Sequence, residues 1–179
     1  MAFLTSSKTA RTLLLGILLS PLCSGQAFNE YQVKAAFLYT LTRFVEWPAQ
    51  SFSGPSAELA ICVFGADPFG NYLADAVRGK AVEGHPLAVR RLADRPVAGE
   101  CHILFIAASE QARMRSLLAG VAAPGLLTAG DTPDFAAQGG VVGLRLEGDH
   151  IGLIVNLAAA DRAKLKVSSR VLSLATVIR

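Results

Sequence analysis

Apolar positions follow two different periods along the chain, and the changes of period predict the order of its elements. Residues 30–46 carry apolar side chains at the three- and four-residue spacing of an amphipathic helix, with Asn29 placed to cap its start. A residue that precedes proline avoids the α region, so Trp47-Pro48 is expected to end this helix. Short apolar runs at 59–64, 87–92, 102–107 and 126–128 indicate strands, and helical patterns at 69–78, 110–118 and 134–138 alternate with them.

The pattern changes after Gly140. The stretch "VVGLRLEGDHIGLIVNL" predicts two strands joined by a tight turn at Gly148-Asp149, and a short helix, a cap at Ser168-Ser169 and a second apolar helix follow. Continuous apolar strands such as "CHILFIA" are typical of parallel sheets that are covered on both faces. The sequence therefore predicts an α/β fold, a three-layer sandwich with a central mixed, mostly parallel sheet and a C-terminal hairpin, formed as a single domain by residues 28–179.

The first helix has two apolar faces. One stripe is predicted to pack on the core and holds Val33, Ala36, Phe37, Thr40, Leu41 and Phe44. A weaker band on the opposite side holds Tyr31, Ala35, Leu38 and Val45, and it is either buried between two layers or exposed as a contact surface; the pattern favours burial. Lys34 and Arg43 flank the bands and are expected to reach water with their charged ends. The candidate residues for a partner contact, or for defining the fold, are Tyr31, Lys34, Leu38, Arg43, Val45 and Trp47.

Residues 1–27 have the pattern of an export signal. Lys8 and Arg11 form a basic start, an apolar run spans 12–22, and Gly25-Gln26-Ala27 supplies small residues for cleavage after Ala27. The run is shorter than the roughly 20 residues of a membrane span, although an uncleaved anchor is the alternative. We therefore expect a cleaved signal peptide and a periplasmic mature protein.

Charge and composition narrow the classes of function. Hydrophobic residues make up 52% and charged residues 17% of the chain, which indicates a folded domain. Two of the 17 basic residues lie in the predicted signal, which leaves 15 basic against 14 acidic residues. Arg90-Arg91 is only a local basic pair, so binding to nucleic acid is not expected.

Two cysteines, Cys62 and Cys101, remain after the predicted cleavage. An even number in an exported protein favours a disulfide, and both lie in runs that could be neighbouring strands. A metal-binding pair or a reactive thiol are the alternatives. None of the three histidines stands at a metal-ligand spacing, so no metal site is predicted.

The sequence offers no set of residues with the spacing of a known catalytic site. "VFGADPFG" lies between a strand and a helix but lacks the GxGxxG and GxxxxGK[ST] spacings, and Asp67 would oppose a phosphate, so we interpret it as a helix cap. GxSxG is absent as well, and Asp131 and Asp134 are interpreted as residues of a helix's first turn. We expect neither enzymatic activity nor a cofactor.

Several motifs together resemble the YfiR family of exported regulatory proteins. They are "VKAAFLYTLTRFVEWP", "ICVFGADPFG", "CHILFIAASE" and "GGVVGLRLEGDHIGLIVNLAAADRAKLKVSSRVL", in this order over nearly the whole chain after the signal. The resemblance implies a compact α/β periplasmic fold without catalysis and matches Cys62 and Cys101 to the family's strand cysteines, which form a disulfide. The family's best-known member has a further C-terminal cysteine pair, which this sequence lacks.

The resemblance also implies partners. The family's best-known member represses an inner-membrane diguanylate cyclase by contacting its periplasmic region, and an OmpA-like outer-membrane lipoprotein relieves the repression by sequestering it. A regulator of cyclic-di-GMP signalling is therefore the function we expect, and a homodimer remains open. The alternative is a periplasmic small-molecule binding or sensor module, because a doubly wound sheet offers a crevice at its strand ends.

Overall fold

A computed structural model describes residues 29–94, 96 and 99–179 of the chain. The predicted signal peptide lies outside these residues and stays a prediction. The helices are α1 (Glu30–Phe44), α2 (Tyr72–Val77), α3 (Met114–Val121), α4 (Leu157–Arg162) and α5 (Ser169–Leu172). The strands are β1 (Val45–Glu46), β2 (Leu59–Phe64), β3 (Ala81–Val82), β4 (His85–Leu92), β5 (Ile103–Ile106), β6 (Leu127–Gly130), β7 (Val142–Glu147), β8 (His150–Asn156), β9 (Lys166–Val167) and β10 (Ala175–Ile178).

Eight strands form one mixed sheet in the order β10-β8-β7-β6-β5-β2-β4-β3. The strands β4, β2, β5, β6 and β7 run parallel to one another, and β10 runs parallel to β8. Two pairs are antiparallel: β3 with β4, and the hairpin of β7 and β8, whose turn is the predicted Gly148-Asp149. Side chains of β2 and β5 alternate between two apolar clusters, one with α1, α2 and α5 and the other with α3. The predicted three-layer α/β fold with a mixed, mostly parallel sheet and a C-terminal hairpin is confirmed.

Two predicted helices are wrong. Residues 134–138 form a turn, because Asp134 has a left-handed backbone (φ 59°) and only one helical hydrogen bond, from Gln138 N to Asp134 O, is made at 2.8 Å. The last predicted helix is a single turn, α5, after which the chain enters the sheet as β10 beside β8. Thr176, Val177 and Ile178 are β-branched and suit this edge position.

A second, two-stranded sheet joins the end of α1 to the C-terminal part of the chain. In it β1 pairs with β9 in antiparallel register, Val45 opposite Val167. Next to this pair, Ser168 N donates to Phe44 O at 2.9 Å, and the Ser168 hydroxyl accepts from Arg170 N at the start of α5. The end of α1 and the start of α5 are thereby fixed to each other.

The structure forms the disulfide between Cys62 of β2 and Cys101, just before β5, with Cα atoms 5.8 Å apart. Cys62 lies in the cluster under α3 and is fully buried. The bridge closes the loop that contains α2, β3, β4 and the segment leading to β5, and it links the middle of β2 to the chain two residues before β5.

Removal of this disulfide is expected to lower the free energy of unfolding by about 4 kcal/mol, the chain-entropy value for a loop of this length. The variant is Cys62→Ala with Cys101→Ala, measured by urea unfolding of the mature protein. Reduction of the wild type should reproduce the loss, and reductant should leave the double variant unchanged. Equal stability of oxidised wild type and double variant would show that the bridge contributes nothing.

Candidate interaction surface

The start of α1 is fixed to the sheet by a buried ion pair. Asn29 caps the helix by accepting from Gln32 N at 3.1 Å. One turn into the helix, Lys34 Nζ donates to Asp131 Oδ2 at 2.7 Å and also pairs with Glu30. The Lys34 side chain is only 2% exposed, so the expectation that it reaches water is wrong. Asp131 directly follows β6, and its carboxylate is buried instead of facing solvent in a first helical turn.

Tyr31 completes this polar cluster. Its hydroxyl donates to Asp131 Oδ2 at 3.0 Å, and Lys34 Nζ lies 4.6 Å from the centre of its ring. Burial, and then the neighbouring Asp131 carboxylate, raises the pKa of the Tyr31 phenol to about 12. The phenol therefore keeps its proton at neutral pH and serves as a donor. On the other side of the ring, Tyr31 packs edge-to-face on Phe69 at 5.6 Å.

The weaker apolar band of α1 is buried, as the pattern favours, whereas the stripe predicted to pack on the core is buried only in part. Leu38 is 0% exposed, and Ala35 and Val45 are buried with it in the main core. Of the stripe predicted to be core, only Leu41 is buried; the half-exposed or exposed members are Val33, Ala36, Phe37, Thr40 and Phe44. The sequence hides the buried face because Lys34 and Thr42 lie on it, and both are polar residue types that become buried here.

The remaining candidate residues of the helix lie at its end. Arg43 is exposed, whereas Trp47 is half-buried and its Nε1 donates to His102 O at 3.4 Å. Tyr31, Lys34, Leu38, Val45 and Trp47 therefore all make contacts that hold the fold together. A role for any of the six in contacting a partner stays a prediction.

A small apolar groove of about 120 Å³ runs between the half-exposed stripe of α1 and the C-terminal segment. Its lining is formed by Phe37, Thr40, Leu41, Phe44, Leu153, Arg170, Val171 and Leu174. Leu174 is 81% exposed and adjoins the apolar lining of this groove. The sequence prediction missed this residue because it placed Leu174 within a helix, whereas the chain turns there from α5 into the edge strand β10.

The strand ends where other doubly wound folds bind ligands are joined by the protein's own side chains. After β2, Ala66 N donates to Ser109 Oγ, in the loop after β5, at 2.9 Å. The prediction that Asp67 caps the helix is wrong, because α2 begins at Tyr72 with Asn71 at its N-cap. Asp67 Oδ1 instead closes the preceding turn by accepting from Phe69 N at 2.8 Å, and Asp67 also pairs with Arg91. A negative side chain thus lies where a phosphate would have to bind.

At the amino-terminal ends of β2, β4 and β5, an aromatic stack holds the loop between α1 and β2. The Phe52 ring lies 3.8 Å from that of His85 and 4.5 Å from that of His102. His102 Nδ1 accepts from Ala60 N at 3.2 Å, and burial lowers the pKa of this imidazole. The two histidines therefore hold this loop in place through ring stacking and hydrogen bonds. Within the described part of the chain, no three His, Cys, Asp or Glu side chains are grouped as metal ligands would be.

These features define a class: an α/β domain with a mixed sheet, whose strand-end polar groups bind one another and whose first helix presents a half-exposed apolar stripe. No described helix is long and apolar enough to cross a membrane. The chain belongs to the YfiR/HmsC-like family, whose model matches residues 31–176. This family is known for periplasmic regulators in cyclic-di-GMP signalling.

The similarity to solved structures concerns the fold alone. A crystal structure of a conserved domain protein from Vibrio cholerae O1 biovar El Tor str. N16961 superimposes with a TM-score of 0.51 at 10% sequence identity. The match covers 68% of this chain and 55% of that one, so this chain spans little more than half of its neighbour. No curated protein has significant sequence similarity to the chain.

Proposed function

We propose that the protein is a periplasmic, non-catalytic regulator that represses an inner-membrane diguanylate cyclase by binding the cyclase's periplasmic region. Cyclic-di-GMP output falls while the two are bound. An OmpA-like outer-membrane lipoprotein relieves the repression by competing for the regulator. Membership of the YfiR/HmsC-like family and the export pattern of residues 1–27 support this proposal.

The observation that carries the proposal is the groove between α1 and α5. Phe37 and Phe44, on the apolar stripe beside the buried face of α1, pack against the core with one part of their side chains and line the groove with the other. Apolar area that stays half-exposed next to a leucine as exposed as Leu174 is typical of a surface that a partner covers. The groove is the candidate docking site for the cyclase.

Charge indicates the chemistry of the docking segment. Arg170 is exposed and lines the groove, and Arg43, also exposed, lies one helical turn beyond Thr40. No acidic residue lines the groove. A complementary segment of the cyclase is an apolar stretch that carries at least one carboxylate, because an arginine pairs with a carboxylate through two parallel hydrogen bonds.

Leu174→Glu and Arg170→Glu are expected to leave the fold intact and to raise cyclic-di-GMP to the level of a deletion strain. Both side chains are exposed and line the groove, and a carboxylate at either position would meet the partner's own acidic residue. Cellular cyclic-di-GMP and capture of the cyclase's purified periplasmic region are the measurements. Leu146→Glu is the matched control, since Leu146 is 45% exposed and does not line the groove.

The two parts of the proposal fail in different ways. If deletion of the gene leaves cyclic-di-GMP unchanged under envelope stress, the cyclase is not the target. If deletion raises cyclic-di-GMP but both groove variants repress as well as the wild type, the regulator binds through another surface.

A further inference from the structure

A second cleft lies away from the groove, between α3 and α4. It encloses about 320 Å³, at the lower end of the range of volumes for small-ligand sites, roughly 300–1,000 Å³. Its floor is β6 and the residue before β7, with Leu118, Leu126 and Val141 among the apolar side chains. The cleft is therefore mainly apolar. It lies at the amino-terminal ends of β6 and β7, whereas doubly wound folds usually bind ligands at the carboxyl ends of their strands.

Two arginines line this cleft from its two helical walls. Arg115 comes from α3 and Arg162 from α4. Neither makes a hydrogen bond or an ion pair with any residue that the structure describes, whereas Arg113, two residues before Arg115, pairs with Glu110. No Asp or Glu is among the lining residues, so the positive charge of the cleft is not neutralised from within it.

Two uncharged polar groups complete the lining. Thr128 is buried and its Oγ1 accepts from Val141 N at 3.0 Å, which leaves the hydroxyl hydrogen to donate. Gln138 donates through Nε2 to Pro133 O at 3.4 Å, which leaves its side-chain carbonyl to accept. An apolar body with a few fixed polar groups and a charged end is the usual composition of a site for a small organic ligand.

We propose that this cleft binds a small amphipathic anion: an apolar body in contact with Leu118, Leu126 and Val141, with an anionic head group between Arg115 and Arg162. Guanidinium groups bind carboxylates and phosphates through paired, charge-assisted hydrogen bonds, so either head group fits. A bare inorganic anion would leave the apolar lining uncovered. Such a ligand site lies apart from the proposed docking groove and does not depend on the cyclase as target.

The test is calorimetric titration of the mature protein with four probes below their micelle concentrations: octanoate, octyl phosphate, octanol and inorganic phosphate. We expect at least one of the two octyl anions to bind at least tenfold more tightly than octanol and than inorganic phosphate. It should also raise the melting temperature by mass action. Preference between octanoate and octyl phosphate identifies the head group. The proposal is overturned if neither anion binds, or if octanol or inorganic phosphate binds as tightly as the better anion.

Variants locate the binding. Arg115→Gln and Arg162→Gln each remove one charge-assisted pair and should weaken binding of the anion about tenfold, while Arg78→Gln, the same change at the exposed residue after α2, should not. Ala119→Phe fills the cleft from α3 and should abolish the binding without unfolding the protein, because Ala119 is exposed. Undiminished binding by the Arg115→Gln/Arg162→Gln double variant would place the ligand elsewhere and refute the assignment.

Discussion

Leu38→Glu is expected to leave the mature protein unfolded. Leu38 has no exposed surface and packs in the main core between α1 and the sheet. Truncation alone, as in Leu38→Ala, should cost about 2–5 kcal/mol through lost contacts and the cavity left behind. A glutamate at the same position must in addition be desolvated or take up a proton, and the sum approaches the whole stability of a domain, roughly 5–15 kcal/mol.

Far-ultraviolet circular dichroism and urea unfolding of the exported protein measure this effect. Ala36→Glu is the matched control, because Ala36 lies two residues before Leu38 on the same helix but is exposed. It should fold like the wild type. If Leu38→Glu folded normally and lost only the regulation, the face of α1 that contains Leu38 would be a docking surface and the burial described here would be wrong.

Lys34→Met is expected to lower the free energy of unfolding by about 3–5 kcal/mol, the usual cost of removing one partner from a buried ion pair. Without Lys34, the buried carboxylate of Asp131 keeps only the Tyr31 hydroxyl on Oδ2, and its Oδ1 already has no hydrogen-bond partner among the described residues. Chemical unfolding of the single variant at neutral pH measures the loss.

A double-variant cycle separates the contribution of the Lys34–Asp131 ion pair from the packing contribution of each side chain. Lys34→Met with Asp131→Leu removes both buried charges and should recover most of the stability that Lys34→Met loses. Lys166→Met is the control at an exposed pair with Glu46, where about 0–1 kcal/mol is expected. If the double variant were as unstable as Lys34→Met, the loss would come from packing around the lysine stem and not from the unpaired carboxylate.

The sequence predicted the strands of the sheet well because each is a short, continuous apolar run. β2 begins and ends at the predicted residues, and the hairpin turn is at Gly148-Asp149, where glycine tolerates the left-handed backbone it has there (φ 63°). The disulfide followed from the number of cysteines and from their place in adjacent strands, which the structure confirms. These features depend mainly on local sequence, so they can be predicted without knowledge of the tertiary structure.

The features of the candidate surface were harder to predict because they depend on contacts between distant residues. Lys34 is polar by residue type, and only the presence of Asp131 after β6 makes its burial favourable. The periodicity of α1 therefore overstated the burial of the stripe that contains Phe37, although it favoured burial of the band that contains Leu38. Similarly, β10 reads as a continuation of an apolar helix, and only the open edge of β8 converts it to a strand. Leu174 is exposed because it lies in the turn between α5 and this edge strand.

The two walls of the groove come from opposite ends of the described chain. α1 is its first helix and α5 its last, and the pairing of β1 with β9 is what brings them side by side. A ribosome makes α1 long before α5, so the groove cannot exist on an incomplete or misfolded chain. A partner that binds this groove, as proposed above for the cyclase, would therefore bind only chains in which the first and last helices have folded together.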